Sequence, residues 1–296
     1  MPSYPFYQVD AFTNRPMGGN PCAVLFDADG MDDETMLEIA REMNLSETAF
    51  VFKSKQADFG MRFFTPADEI PLAGHPTIAT TFALVDSGRL PVKSNFMSIT
   101  LELKVGPIPV DIYSHNQQVE HIKMTQMKPV FMDTYTAQDV LPVFGLQEDD
   151  LLDGYAIQTV STGTPQLMIP LKSLDALAKA QLDFSAYNQL LDRADFTSPH
   201  LFCLNGATQQ GDTFARHLSP PPDVYEDPFT GSATGGMAAY LWRYGLIDKQ
   251  EFNAEQGHWI GRPGLATVEV LGPPEDIQSV KVGGAAVTVL RGEFIL

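Results

Sequence analysis

The segment Glu69-Ile-Pro-Leu-Ala-Gly-His-Pro-Thr-Ile-Ala-Thr-Thr-Phe-Ala-Leu84 returns 157 residues later, without a gap, as Glu226-Asp-Pro-Phe-Thr-Gly-Ser-Ala-Thr-Gly-Gly-Met-Ala-Ala-Tyr-Leu241. Glu69 falls on Glu226, Pro71 on Pro228, Gly74 on Gly231, Thr77 on Thr234 and Leu84 on Leu241. Each version reads as a tight, glycine-containing turn that opens a buried helix. In the first, no breaker follows Pro76, and Ile78, Ala79, Phe82 and Ala83 make an apolar stripe. Pro76 sits in the first turn, where its missing N–H costs nothing. Similar leads precede both turns, Arg62-Phe-Phe-Thr-Pro66 and Arg216-His-Leu-Ser-Pro220, with three more residues before the second turn. Near the start of each half, Gly19-Asn-Pro-Cys-Ala-Val-Leu25 is matched by Gly163-Thr-Pro-Gln-Leu-Met-Ile169. Gly-Pro turns before helices are common singly. Three matches in one order point to a duplicated unit.

A length of 296 residues agrees with two halves, at about 150 residues per domain. Hydrophobic residues at 44% suffice for an ordinary core, which excludes a disordered or fibrous chain. The formal charge of −18 is interrupted by no Lys/Arg run, so a nucleic-acid or membrane-surface partner is not expected. Cys22 and Cys203 are the only cysteines, and neither a secretory leader nor a long apolar run is evident. The expectation is a cytoplasmic protein with reduced thiols.

Along the chain, Phe6 to Phe12 and Asn20 to Phe26 read as strands around a turn-rich loop. Asp32 and Asp33 can cap a helix from Glu34 to Met43, followed by a strand through Ala49 to Phe52. Further strands are expected over 58–64, 97–105, 108–113 and 119–126. Residues 127–153 read as a transition with a short acidic helix. The second half repeats the scheme, with strands over 155–162, 166–171, 201–204 and 213–217 and helices over 173–180 and 187–193. Residues 255–264, 266–271, 279–284 and 286–295 supply the closing strands. No dinucleotide, P-loop or Cys-x-x-Cys motif occurs.

Two helix N-termini facing one another across a cleft would hold a small carboxylate or its enolate-like anion, each contributing about 0.3–1 kcal/mol. The free N–H groups of Gly74 and His75 in one half, and of Gly231 and Ser232 in the other, are the donors. A strongly acidic chain would thus keep a local positive pole for an acidic substrate.

These motifs resemble a known family. Val9-Asp-Ala-Phe-Thr13, Gly19-Asn-Pro21, Leu45-Ser-Glu-Thr48, Arg62-Phe-Phe-Thr-Pro66 with Ala73-Gly-His-Pro76, Glu226-Asp-Pro-Phe-Thr-Gly-Ser232 and Gln256-Gly-His-Trp-Ile-Gly-Arg-Pro263 span the chain in order. Together they are similar to the PhzF-like, or phenazine-biosynthesis-like, branch of the diaminopimelate epimerase fold. The resemblance implies an α+β protein of two pseudo-symmetric domains, each a curled mixed β-sheet or barrel around a central α-helix. The expected units are 1–126, which the C-terminal strand 286–296 can complete, and 127–285, with the active-site cleft between them.

The resemblance also implies a cofactor-independent isomerase, with neither metal nor organic cofactor, acting on a small carboxylic acid and forming a homodimer. The best-understood reaction of the branch is a double-bond and proton shift on a dihydro-hydroxyanthranilate. Epimerases of this fold carry a thiol before each helix, whereas the matching positions here are Ala73 and Thr230, and neither cysteine lies in a turn–helix motif. By resemblance the acid–base work falls to Glu47, assisted by His75 and Asp227. Gly74, His75, Gly231 and Ser232 would bind substrate, with Asn20 and Ser46 supporting them. From pattern alone Glu47 reads equally as an exposed carboxylate or a partner of Ser46 in a cap, His75 as a helix-start residue, and Asp227 as a turn-starter. The remaining histidines, at 115, 121, 200, 217 and 258, read as surface or core residues. Two other functions stay open: an epimerase or racemase using Glu47 and Asp227 on opposite faces, or a non-catalytic binding protein that keeps the cleft.

Overall fold

Period-two burial runs through much of the chain, most regularly in Gly264–Leu271, where buried and half-buried residues alternate. The computed structural model describes residues 2–296. Its elements are β1 (Ser3–Ala11), β2 (Asn20–Leu25), α1 (Asp33–Met43), β3 (Glu47–Phe52), β4 (Phe59–Phe64), β5 (Glu69–Ile70), α2 (Gly74–Asp86), β6 (Phe96–Leu103), β7 (Gly106–His115), β8 (Gln118–Thr125) and β9 (Val130–Tyr135). There follow α3 (Ala137–Val140), β10 (Ile157–Ser161), β11 (Pro165–Pro170), α4 (Leu174–Lys179), α5 (Phe184–Leu191), β12 (Ser198–Cys203), β13 (Thr213–His217), α6 (Gly231–Arg243), β14 (Glu251–Gln256), β15 (Gly264–Leu271), β16 (Ser279–Gly284) and β17 (Ala286–Ile295). The fold is mixed α+β, mostly sheet with few helices.

Strand pairing runs β17-β1-β2-β3-β4-β6-β7-β8, crosses to β16, and continues β15-β14-β13-β12-β11-β10-β9. Pairs are antiparallel except β2 with β3 and β4 with β6 in the first run, and β11 with β12 and β13 with β14 in the second. α2 packs against β1, β2, β8 and β17 and α6 against β10, β11, β15 and β16, and both helices are buried on almost every side. A helix without a polar face belongs inside a core. Its hydroxyls are turned onto its own backbone: Thr77 Oγ1 donates to the Ala73 carbonyl and Thr81 Oγ1 to that of Thr77, both at 2.7 Å.

The N-termini of α2 and α6 meet. A methyl group on Gly74 would lie 2.7 Å from the Gly231 Cα and 2.8 Å from the Ser232 nitrogen, so the two backbones touch where any side chain would separate them. Neither glycine has positive φ, and space alone makes them glycine. Phe12 stacks on Phe229 at 4.3 Å and packs beneath Gly231.

Several local expectations need correction. Residues 127–153 include β9, which pairs antiparallel with β10, and α3 as well as short 3-10 turns. The helix expected from 187 begins at Phe184, because the Asp183 side chain caps it by accepting from the Ala186 N–H. The stretch 255–264 is not all strand: a 3-10 turn over His258–Ile260 separates β14 from β15. Cys22 and Cys203 are both free and buried. Among the described residues no helix is long and apolar enough to cross a membrane.

Candidate active site

Glu47 opens β3, whose following residues Thr48 to Val51 are buried. Parallel pairing sets Glu47 opposite Cys22 in β2, two residues beyond Asn20. His75 is the second residue of α2 and Asp227 lies in the turn before α6, so three separate segments converge. Glu47 Oε2 approaches His75 Nε2 to 3.1 Å, yet neither atom has a hydrogen-bond partner. Glu47 lines the adjoining cavity, and the buried His75 imidazole lies against its carboxylate.

Asp227 is the opposite case. Its Oδ1 accepts from Asn20 Nδ2 at 2.7 Å and from Ser46 Oγ at 2.6 Å, and its Oδ2 accepts from Thr230 Oγ1 at 2.5 Å. Its carbonyl accepts from Gln256 Nε2 at 2.7 Å, and its N–H donates to the His217 carbonyl. Asn20, fully buried, also donates to the Phe229 carbonyl at 2.8 Å and lies 2.9 Å from His75 Nδ1. One amide thus ties the start of β2, the turn before α6 and the imidazole together. Arg262 holds the preceding turn, donating to the Gly18 and Gly19 carbonyls and to Asp10.

Burial, reinforced by the charges of Asp227 and Asp223, pushes the Glu47 carboxyl well above its ordinary value of 4.5. Burial pulls His75 down to about 4, and the opposing charge of Asp227 and the Pro21 carbonyl do not outweigh it. His75 is therefore a neutral imidazole at neutral pH. Its Nε2 can donate to a carboxylate or accept from a carboxylic acid, according to tautomer.

Neither helix N-terminus has a side-chain cap. Among the described residues, the N–H groups of Gly74, His75, Gly231 and Ser232 meet no acceptor in the chain. Four free donors on two abutting helix ends have the chemistry to hold an anion. Ser232 Oγ accepts from Gln166 Nε2 at 3.1 Å, and Gln126 Nε2 donates to the Gly231 carbonyl at 2.9 Å. The adjoining cavity, about 370 Å³, is lined by Ser46, Glu47, Asp227, Thr230 and Ser232 among others. Glu47, His75 and Asp227 each offer a ligand-type atom within 4.8 Å of the others, the spacing of a three-ligand cation site. With both Asp227 oxygens already taken by three donors, that carboxylate fits a hydrogen-bonded anchor better than a metal ligand.

The chain matches the family model described as "Phenazine biosynthesis-like protein" (PhzC-PhzF) over residues 9–292. It belongs to that family. Within this phenazine biosynthesis-like family, the chain is 36% identical to an uncharacterised isomerase of Clostridium acetobutylicum, covering 99% of this chain and 98% of the relative. It is 35% identical to a trans-2,3-dihydro-3-hydroxyanthranilate isomerase of Pseudomonas fluorescens, covering 97% and 98%. The solved PhzF-family phenazine biosynthesis protein of Bacillus anthracis superposes with a TM-score of 0.88 at 33% identity, covering both chains completely. The fold alone extends to a hydroxyproline epimerase from Agrobacterium vitis, at a TM-score of 0.69 and 11% identity over 98% of this chain and 92% of that one.

Of the residues expected at the site, Ser46, Glu47, Asp227 and Ser232 line this cavity; His75 lies 3.1 Å from Glu47, Asn20 bonds Asp227, and Gly74 abuts Gly231, none of these last four being part of the lining. The sequence reading did not reach Asp223, Thr164, Gln166, Tyr187 and His217, which line the same cavity. For Thr164 and Gln166 a signal exists: they occupy the positions of Asn20 and Cys22 in the second copy of the Gly-x-Pro motif. His217 had been read as a surface or core residue; it is buried, but it faces the cleft and its carbonyl anchors Asp227.

Proposed function

We propose that this chain is a cofactor-independent isomerase that moves a proton within a small carboxylic acid, with Glu47 as the single proton carrier. The substrate carboxylate lies in the cradle of Gly74, His75, Gly231 and Ser232. Glu47 takes a proton from a weakly acidic C–H, the electron pair spreads through the conjugated system into the held carboxylate, and the carboxylic acid formed at Glu47 returns the proton to a different carbon. His75 orients the Glu47 carboxyl through Nε2. Asp227 fixes Asn20, Ser46 and Thr230, and through Asn20 the imidazole.

The observation that carries this reading is the contrast between two carboxylates. Glu47 is desolvated and has a free oxygen, as a base with a raised pKa requires. Asp227 accepts from three donors, which stabilise its ionised form and argue against a second base on the opposite face and hence against the epimerase reading. The two-copy pattern in the sequence and the parallel–antiparallel order shared by the two strand runs support units 1–126 with 286–296, and 127–285. In that scheme Ser198, opposite Gln166 as Glu47 is opposite Cys22, stands where a symmetric second base would be. A homodimer belongs to the same proposal, and sedimentation giving twice the chain mass tests it.

The name of the Pseudomonas relative makes trans-2,3-dihydro-3-hydroxyanthranilate the first substrate to try. Turnover in deuterium oxide should place label on a carbon other than the one that lost its proton. Label returned to the original carbon with inverted configuration would indicate an epimerase, and no label a binding protein.

A further inference from the structure

Phe12, the residue after β1, has its backbone in the left-handed region at φ 62° and its side chain 1% exposed. A bulky side chain rarely adopts that conformation, and it persists only where the surroundings fix it. A residue that merely filled the core could do so from the extended backbone of β1.

What fixes Phe12 comes from β15 and from the end of β16. The Leu265 N–H donates to the Phe12 carbonyl at 2.9 Å, and the Thr13 N–H donates to the Ala285 carbonyl at 3.2 Å. A Cβ on Gly284 would lie 2.7 Å from Phe12 Cδ1, so the ring occupies the place that a side chain there would need. Phe12 also borders a second cavity, of about 300 Å³, together with Thr13, Leu265 and Ala285, so packing does not confine it on every side. The left-handed backbone and its two hydrogen bonds aim the ring.

The ring is aimed at the start of α6. A Cβ on Gly231 would stand 3.0 Å from Phe12 Cζ and 3.3 Å from Cε2, so no side chain fits between the ring edge and the first turn of that helix. The ring also stacks on Phe229, with 4.3 Å between centroids. The Phe229 carbonyl accepts from Asn20 at 2.8 Å, and Asn20 is paired in β2 with Ala11, the residue before Phe12. The contacts therefore close on themselves, from strand end to ring, to the turn before α6, to the amide and back to the strand end. A ring out of place would carry the Gly231 and Ser232 donors with it, whereas those of Gly74 and His75 belong to α2.

The geometry points to Phe12 as a positioning residue, whose ring sets the place and direction of the Gly231 and Ser232 N–H groups and through them the grip of the site on a carboxylate. This rests on the reading of the two helix ends as a carboxylate site. Phe12 is not part of the lining of the cavity beside Glu47, so it acts through the first turn of α6 and the Asn20 amide.

Calorimetric titration of the full chain with cyclohexanecarboxylate, well below the melting temperature of each protein, tests it. Phe12→Leu should weaken binding about tenfold or more, since small misplacements of oriented groups are costly. Phe26→Leu is the control for a merely structural role, because Phe26 is also fully buried, packs edge-on against Tyr7 and follows the end of β2 away from Asn20. It should lower the melting temperature and leave affinity within about twofold. Amide NMR supplies a signature that lost stability would not produce. In wild type the acid should shift the amide protons of Gly74, His75, Gly231 and Ser232 downfield. In Phe12→Leu at saturating acid the Gly231 and Ser232 shifts should collapse, while those of Gly74 and His75 remain. Where the leucine variant does not fold, Phe12→Tyr keeps the stack but adds an oxygen on Cζ, the atom nearest Gly231, and binding should weaken again. A folded Phe12→Leu or Phe12→Tyr that binds like wild type, a Phe26→Leu that loses affinity equally, or amide shifts reduced alike at both helix ends would overturn the inference while leaving the carboxylate site standing. Wild-type protein that does not bind the acid would contradict the site itself, and this inference with it.

Discussion

Gly74 and Gly231 touch through their backbones, a Cβ on the first reaching within 2.7 Å of the Cα of the second. The obstacle is main chain in a buried helix turn, which cannot swing aside as a flexible side chain would. Gly74→Ala therefore has to push the two helix ends apart. We expect a loss of about 1–3 kcal/mol in stability, the usual cost of overpacking a core. Carboxylate affinity should fall by at least tenfold, because four N–H donors lose their common focus. Chemical denaturation and calorimetry measure the two effects, and an alanine variant with wild-type affinity would show that the close approach is not needed for binding.

Burying Glu47 costs stability in its ionised form. A carboxyl whose pKa is raised by folding is held more tightly as the acid in the folded state, so the penalty is absent below the ordinary value of 4.5, grows as pH climbs through the raised value, and is complete above it. Glu47→Gln should accordingly raise the melting temperature at neutral pH, by about 2–4 °C for each kcal/mol relieved. The gain should shrink toward zero near pH 4. A gain of the same size at both pH values would mean that packing, and not charge, causes it.

The same neighbours set the acid limb of catalysis. Glu47 must be ionised to accept a proton, so kcat/KM should fall as pH drops through its raised pKa. Desolvation is the larger cause of the shift and the charge of Asp227 comes second. In Asp227→Asn the acid limb should move to lower pH yet stay above the ordinary carboxylate range, alongside a lower kcat. A limb that does not move in the pH–rate profile would rule out electrostatic coupling between the two carboxyls.

Asn20 is fully buried and serves Asp227, Phe229 and His75 at once. Asn20→Ala leaves two buried acceptors without their donor, at about 1–3 kcal/mol each. Stability should fall by that order and kcat by at least tenfold, while Asn20→Asp should be worse because it sets a second carboxylate against Asp227. Denaturation midpoints and steady-state rates decide this, and a fully active Asn20→Ala would remove the amide from the account.

Much of this arrangement was legible before any coordinates. Resemblance of the Leu45-Ser-Glu-Thr48, Ala73-Gly-His-Pro76 and Glu226–Ser232 motifs to the family singled out Glu47, His75 and Asp227, where pattern alone left each an ordinary structural reading, and the structure brings their side chains within reach of one another. Asp223 was not legible, because a lone aspartate after Pro220-Pro-Pro222 reads as a solvated loop tip. Only the three-dimensional path turns the extra length inward. β9 was missed for a related reason. As the end strand of its run it pairs on one side only, and Val-Phe-Met-Asp-Thr-Tyr lacks the alternation of a half-buried strand. The hydrogen-bonding of Asp227 by three donors, which separates an anchor from a base, depends on groups up to 207 residues away in sequence and has no local signature.

The most direct test of Glu47 as the proton carrier is deuterium incorporation from solvent into the dihydro-hydroxyanthranilate, followed by NMR for wild type and Glu47→Gln at saturating substrate. The account predicts incorporation reduced by about 10²–10⁴ in the variant, the usual contribution of a positioned general base, with ligand affinity kept within a few-fold. Incorporation at the wild-type rate in Glu47→Gln would contradict it.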